Sequence, residues 1–333
     1  MELGVHELIT RGRGETAEAA MARTERCVAA CEALGYQRYW FAEHHSMPNQ
    51  LSTQPIISAA YFLGKTKKMR IGTGGTMIMH YSPLEIAEQC KTLSAYAPGR
   101  LDIGFGRAPG GTIDDVFALA QGRRRAMGSL YDKMEEILAY LQDEEPTQKM
   151  YKEARAVPCQ VREPAQPWML GSTGASARPA AKMGLGYSFA RWFARPLAPD
   201  LFRDYRARFR PSAFFDQARV SVSYRLCVAE DRDRLEVMKK PFDAYFLSFL
   251  AGDGQAMPRF EDCKDRVFSA EEQASLQSYY DNHYLIAGTR EEVEAILGQE
   301  MEQFGIDELM FYVPLVQEED RLESYRILSE LFL

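Results

Sequence analysis

The chain has 333 residues, 46% apolar and 26% charged, which is ordinary globular composition with enough apolar surface for a large core. Its 40 basic and 47 acidic side chains leave a net charge of −7, which argues against nucleic acid or an anionic membrane as partner. Six cysteines without a Cys-x-x-Cys pair read as free thiols in a reducing compartment, and no signal peptide or membrane-length apolar run is present, so a cytoplasmic protein is expected.

Glu2 to Ile9 reads as a strand opening directly at the N-terminus. Residues 16–34 place Ala20, Thr24, Cys27, Val28 and Cys31 at helical spacing, and Gly35 ends that helix. Tyr36 to Ala42 is a second strand, residues 53–66 a second helix, and Met69 to Met77 a third strand. Ser82-Pro83-Leu84-Glu85 has the composition of a capping box with proline at the first helical position. That helix runs to about Ala97, before Pro98-Gly99. Arg100 to Gly104 is a short strand, followed by one long helical region over 113–143. Within it, Arg123-Arg124-Arg125 reads as a solvated helix face or a local anion clamp. Further strands are expected at Trp168 to Leu170, Leu185 to Ala190, Val220 to Ala229 and Asp307 to Val313. Helices are expected at 174–184, 198–210, 231–250 and 319–331. Eight strands in strict alternation with helices predict an α/β (β/α)8 barrel, a TIM barrel, as one domain over 1–333. A doubly wound sheet is the alternative topology. Two stretches exceed a minimal barrel and read as insertions: 143–166, with three prolines, and 251–284, with a short helix expected from the Ser269-x-x-Glu272 box.

The chemistry gathers at strand ends. Tyr39-Trp40-Phe41-Ala42-Glu43-His44-His45 is an aromatic strand that stops in a carboxylate and two imidazoles, where α/β folds keep their active sites. Strand alternation sends His44 and His45 to opposite sides, so one is a site residue and the other structural. His6 and His80 also fall at or just past strand ends. There is no His-x-His or His-Glu-x-x-His, so no metal is expected. Gly72-Thr73-Gly74-Gly75-Thr76 ends a strand without side chains, which suits either a flat ring lying on backbone or a simple bulge. Gly171-Ser172-Thr173-Gly174-Ala175-Ser176 joins a strand to a helix start and offers hydroxyls and amides to an anion; Arg107 is the candidate counter-charge. Ala287-Gly288-Thr289-Arg290-Glu291-Glu292 is another glycine-to-helix entry, with a capping box, and reads as structural.

Together these segments resemble the bacterial luciferase-like family of flavin-dependent monooxygenases over almost the whole length. The matching pieces run from Gly35 to His45, Gly72 to Gly75 with His80-Tyr81-Ser82-Pro83, Pro98 to Gly110, and Leu170 to Thr173. The resemblance implies a barrel that binds FMN at its mouth, taking reduced FMN from a separate NAD(P)H:flavin reductase. Oxygen then adds to the flavin, and the peroxide attacks an organic substrate such as an aldehyde. Carried over, His44 looks like the catalytic histidine, with Glu43 and His45 as supports. Gly74-Gly75 looks like a non-proline cis peptide under the flavin ring, with Thr76 beside it. Arg107, Gly171, Ser172, Thr173 and Ser176 look like the phosphate grip. Met79, where many relatives have proline, and His6 are departures that bear on the substrate pocket. An F420-dependent oxidoreductase of the same fold and a non-catalytic flavin-binding protein are the alternatives. A homodimer is implied by the family, and small residues at Ala29, Ala30 and Ala33 suit close helix packing. No Gly-x-Gly-x-x-Gly opens a helix after a strand, so direct use of NAD(P)H is not expected.

Overall fold

A computed structural model describes residues 1–122, 130–193, 197, 198, 200–253 and 256–333. The short apolar runs between glycine- and proline-marked turns become strands. They are β1 (Glu2–Glu7), β2 (Arg38–Phe41), β3 (Arg70–Met77), β4 (Leu101–Gly106), β5 (Gln166–Gly171), β6 (Gly186–Ala190), β7 (Val220–Ala229), β8 (Ile286–Thr289) and β9 (Glu308–Tyr312). Each of β1 to β7 pairs in parallel with the next, and β9 pairs with both β7 and β1. The ring therefore closes as an eight-stranded parallel barrel.

Strand β8 is the element the pattern did not reveal. Strand β7 is 10 residues long; Ser221–Arg225 pair with β9, and Leu226–Ala229 run past the barrel. That overhang would be a bare edge, and Ile286–Thr289 pairs with it. The glycine-to-helix entry at Gly288 is thus also a strand.

Alternation along each strand sorts the core. Leu3, Val5, Tyr39, Phe41, Ile71, Ile103, Tyr187 and Val222 point outward and pack under the helices in one large apolar cluster. Those helices include α1 (Ala17–Ala33), α2 (Pro55–Lys65), α3 (Pro83–Tyr96), α4 (Ile113–Leu119), α5 (Leu130–Leu141), α6 (Ala177–Met183), α7 (Leu201–Arg208), α8 (Arg232–Leu250), α9 (Phe260–Cys263), α10 (Ala270–Asp281), α11 (Arg290–Phe304) and α12 (Glu318–Phe332). Cys27 and Cys31 are buried free thiols on one face of α1, as their spacing predicts.

Three helix expectations change. Ser82 does sit at the N-cap of α3 with Pro83 next, but its side chain makes no cap bond. The long helix over 113–143 is not continuous: α4 ends at Leu119, and Gln121 and Gly122 have φ of 52° and 72°. Arg123-Arg124-Arg125 lies outside the described residues. Helix α6 starts at Ala177 rather than 174, because Gly174 has φ 82°, outside helical space. The Ser269 box does open a helix, with Glu272 accepting from the Ser269 amide at 2.8 Å. No helix among the described residues is long and apolar enough to cross a membrane.

Candidate active site

The N-terminal end of the barrel is closed by charge. Arg38 donates from Nη1 to Asp102 at 2.8 Å and from Nε to Glu308 at 2.9 Å, and Arg70 Nη2 reaches Asp102 at 2.6 Å. Burial pushes the Asp102 carboxyl up, but Arg38 and Arg70 outweigh it and hold it below the usual range. Burial pushes Glu308 up to about 7 against the pull of Arg38. Two arginines serve Asp102, whereas Glu308 shares one of them and has Oε1 buried without a partner, so Glu308 is the more readily protonated of the two carboxyls. Above this layer Trp40, Trp168, Met310 and Phe215 fill the interior. The two indoles meet edge to face at 5.4 Å, and Trp40 Nε1 donates down to Asp102 at 2.9 Å.

The next level up is the C-terminal mouth. The Gly74–Gly75 peptide there is cis. A Cβ on Gly74 would lie 3.0 Å from the Trp40 Cβ and 3.3 Å from His6 Cε1, so glycine lets the backbone rest on both rings. His6 points inward from β1 and hydrogen-bonds to the Gly74 backbone through its ring. Since a carbonyl accepts, the imidazole donates, and its buried Nδ1 has no partner. Burial first, then the neighbouring His44, push the His6 pKa down to about 4. His44 lies just beyond the end of β2, where its amide donates to Ser52 O at 2.9 Å. Its Nδ1 is also buried and unpartnered, and burial followed by the charge of His45 lowers its pKa to about 4. Both imidazoles are therefore neutral at pH 7 and carry ring nitrogens with no protein partner.

His45, like His44, lies beyond the end of β2, and its ring is held by Glu43. Its Nε2 lies 3.0 Å from Glu43 Oε1, which also accepts from the Tyr81 hydroxyl at 2.9 Å. Glu43 Oε2 accepts from the Met77 amide at 2.8 Å. His80, in a 3₁₀ turn after β3, donates from Nε2 to Pro109 O at 2.7 Å. The fully buried Glu43 thus ties together the loops after β2 and β3, and the His45 amide joins the loop after β4 through Gly110 O at 2.7 Å. One ligand atom from each of Glu43, His45 and His80 lies within 4.8 Å of the others, a potential metal triad that linear spacing did not show. Each of the three already has a protein hydrogen-bond partner, and the cluster acts as a brace for the His44 loop.

The other expected residues divide in two. Thr76 is buried with its hydroxyl on Thr73 Oγ1 at 3.0 Å, and Ser176 donates to Leu170 O at 3.3 Å. Gly171, at the end of β5, leaves room for the Ser176 and Tyr187 hydroxyls. Ser172 and Thr173, by contrast, are accessible, and Arg107 is exposed just past β4. Sequence reading missed the far rim of the mouth. Trp192, in a 3₁₀ turn after β6, meets His6 edge to face at 5.2 Å, and Tyr312 ends β9 beside it at 6.0 Å. Arg225 on β7 completes that rim. Its signal was a lone charge on the small inward face Ser221-x-Ser223-x-Arg225 of an otherwise apolar strand.

The eight-stranded parallel barrel thus carries at its mouth two neutral histidines, a glycine strand end and a hydroxyl-bearing loop. The chain belongs to the luciferase-like monooxygenase family, whose model matches residues 1–308. It is 30% identical to a luciferase-like monooxygenase of Escherichia coli (strain K12), over 96% of this chain and 93% of that protein. It is 28% identical to an N-acetyl-S-alkylcysteine monooxygenase of Bacillus subtilis (strain 168), over 97% and 95%. The crystal structure of apo-MsnO8 superimposes with a TM-score of 0.88 at 25% identity, covering 99% of this chain and 98% of that one.

Proposed function

We propose that this protein is the oxygenase component of a two-component monooxygenase that uses reduced FMN and O2 to oxidise a small organic substrate, aldehyde-like or other. The observation that carries this reading is the pair of neutral, inward-facing histidines, each with an unpartnered Nδ1, beside the side-chain-free Gly74–Gly75 strand end. Those orphaned nitrogens and that flat backbone fit an isoalloxazine ring. The accessible Ser172 and Thr173 hydroxyls with the exposed Arg107 fit its phosphate, Gly171, Thr76 and Ser176 shaping the backbone around both ends. Reduced FMN, when bound, supplies the two electrons that activate O2, one atom entering the substrate and the other leaving as water.

The residues of the chain bind, orient and move protons. His44, neutral at pH 7, takes or returns a proton at its free ring nitrogen. His6 holds the Gly74 peptide in place. Glu43 and His45 fix the loop that carries His44. The reading includes a single domain over 1–333, a cytoplasmic location, a separate NAD(P)H:flavin reductase and a homodimer. The exposed Ile57 and Tyr61 on α2, beside the small residues of α1, support the dimer.

Absorption titrations of the purified protein with FMN, anaerobically reduced FMN and F420 test the cofactor. Tight binding of reduced FMN and oxygen uptake on mixing with air are expected. Binding of F420 alone, with hydride transfer and no oxygen uptake, would replace this reading with the F420-dependent one.

A further inference from the structure

Strand β7 reads Val-Ser-Val-Ser-Tyr-Arg-Leu-Cys-Val-Ala. Val222, Tyr224 and Leu226 face the helices, so Ser221, Ser223 and Arg225 face the interior. Arg225 is level with Tyr312, the last residue of β9, which places it at the mouth. Its guanidinium carbon lies 5.6 Å from the Tyr312 ring centroid, 5.9 Å from Trp192 and 6.0 Å from Phe242 on α8. Nη1 hydrogen-bonds to the Tyr279 hydroxyl, and Nε is buried without a partner.

What this cage lacks is an acid. The buried arginines Arg23, Arg38, Arg191 and Arg321 each meet a carboxylate. Half-buried Arg225 forms no ion pair among the described residues, and the polar groups around it are the phenols of Tyr245, Tyr279 and Tyr312, with His6 beyond Trp192. Aromatic faces hold a guanidinium by cation–π attraction without neutralising it. Arginine stays charged at all working pH values, and its planar fork matches a carboxylate. The contacts run from Arg225 through Trp192 and His6 to Gly74, and β7 stands two strands away from the hydroxyl loop after β5.

From this we infer that Arg225 is the anchor for an anionic substrate: the organic molecule oxidised here carries a carboxylate, which the caged guanidinium holds at the β7–β9 rim while its apolar remainder lies toward His6 and Gly74. The inference deepens the monooxygenase reading and relies on it only for calling the bound molecule a substrate.

Calorimetry on the flavin-free protein with octanoate and octanamide, an isosteric charged and neutral pair, provides the test. Octanoate is expected to bind at least tenfold more tightly than octanamide to the wild-type protein. Arg225→Met should abolish that preference while leaving the FMN dissociation constant within about twofold. Equal binding of the two probes by the wild-type protein would overturn the inference whether or not the variant folds. So would a preference that survives in Arg225→Met, or a tenfold loss of FMN affinity there, which would assign the guanidinium to the cofactor. Failure of the wild-type protein to bind reduced FMN sinks the monooxygenase reading alone, since the octanoate preference is measured without flavin.

Discussion

His44 and His6 are alike in environment and different in attachment. The Nδ1 of each is unpartnered, but His6 holds the Gly74 backbone through its other ring nitrogen, whereas no hydrogen bond fixes the His44 ring among the described residues. A side chain that is neutral, partly buried and unattached at one nitrogen is available for proton transfer. Replacing His44 by alanine should lower the oxygenation rate by about 10²–10⁴-fold, with FMN affinity unchanged in an anaerobic titration. Full turnover in that variant would move the role to His6. Glu43 tests the brace. Its carboxylate serves the Met77 amide, the Tyr81 hydroxyl and His45, so Glu43→Gln removes the charge from three bonds at once. We expect a loss of about 2–3 kcal/mol of stability in urea denaturation, the range for a buried charge-assisted bond. Arg107→Ala should weaken FMN by about 1.5–3 kcal/mol and leave riboflavin untouched; equal affinity of the wild-type protein for both flavins would reject Arg107 as the phosphate partner.

At the scale of elements, the site depends on how closely β3 and β4 approach. A Cβ on Gly75 would come within 2.5 Å of Leu170 Cδ1 and 2.8 Å of Gly104 O. Leucine can rotate away; a backbone carbonyl of a neighbouring strand cannot. Gly75→Ala should therefore cost about 1–3 kcal/mol by overpacking, and it should also weaken flavin by pushing β3 away from β4. A variant with wild-type stability and wild-type FMN affinity would show that the seam tolerates expansion. The insertions obey local rules more than barrel rules. The Ser269–Glu272 box of the second insertion starts a helix outside the ring, as does the matching Thr112–Asp115 box in the loop region after β4, where Asp115 accepts from the Thr112 amide at 2.6 Å.

For the whole molecule, three buried groups near the barrel axis, His6, His44 and Glu308, titrate in opposing senses. His6 and His44 have folded pKa values of about 4 against 6.5 unfolded, so the unfolded chain binds two more protons between those limits. Their contribution is present above pH 6.5 and is lost as pH falls toward 4. Glu308 has a folded pKa of about 7 against 4.5, so the folded chain binds the extra proton. Its contribution is present below 4.5 and is lost as pH rises through 7. The net is one proton in favour of the unfolded state, or about 1.4 kcal/mol of stability lost per pH unit on acidification from 6.5 to 4.5. Urea midpoints across that window should show this slope, shallower in His6→Gln and steeper in Glu308→Gln. Below it, protonation of Asp102 and Glu7, whose arginine partners hold them low against the opposing push of burial, removes further stability.

Much of this protein is legible one segment at a time. The aromatic strand leading into Glu43-His44-His45, the glycines at 74 and 75, and the helix-start boxes all follow from neighbours a few residues apart. Periodicity and capping are local physics, and so was the expectation of a barrel, which follows from the alternation of strands and helices. Three features came only with ring closure. Strand β8 exists because β7 outgrows the barrel and its edge needs a partner. Glu43, His45 and His80 meet because β2 and β3 are neighbours in space. Arg225, Trp192, Tyr312 and Tyr279 form one cage although 33 positions separate the first two and 87 the first and third, so no window along the chain contains it. Long-range packing, not local preference, decides which side chains share a low-dielectric mouth, and so which charges there lack a counter-charge.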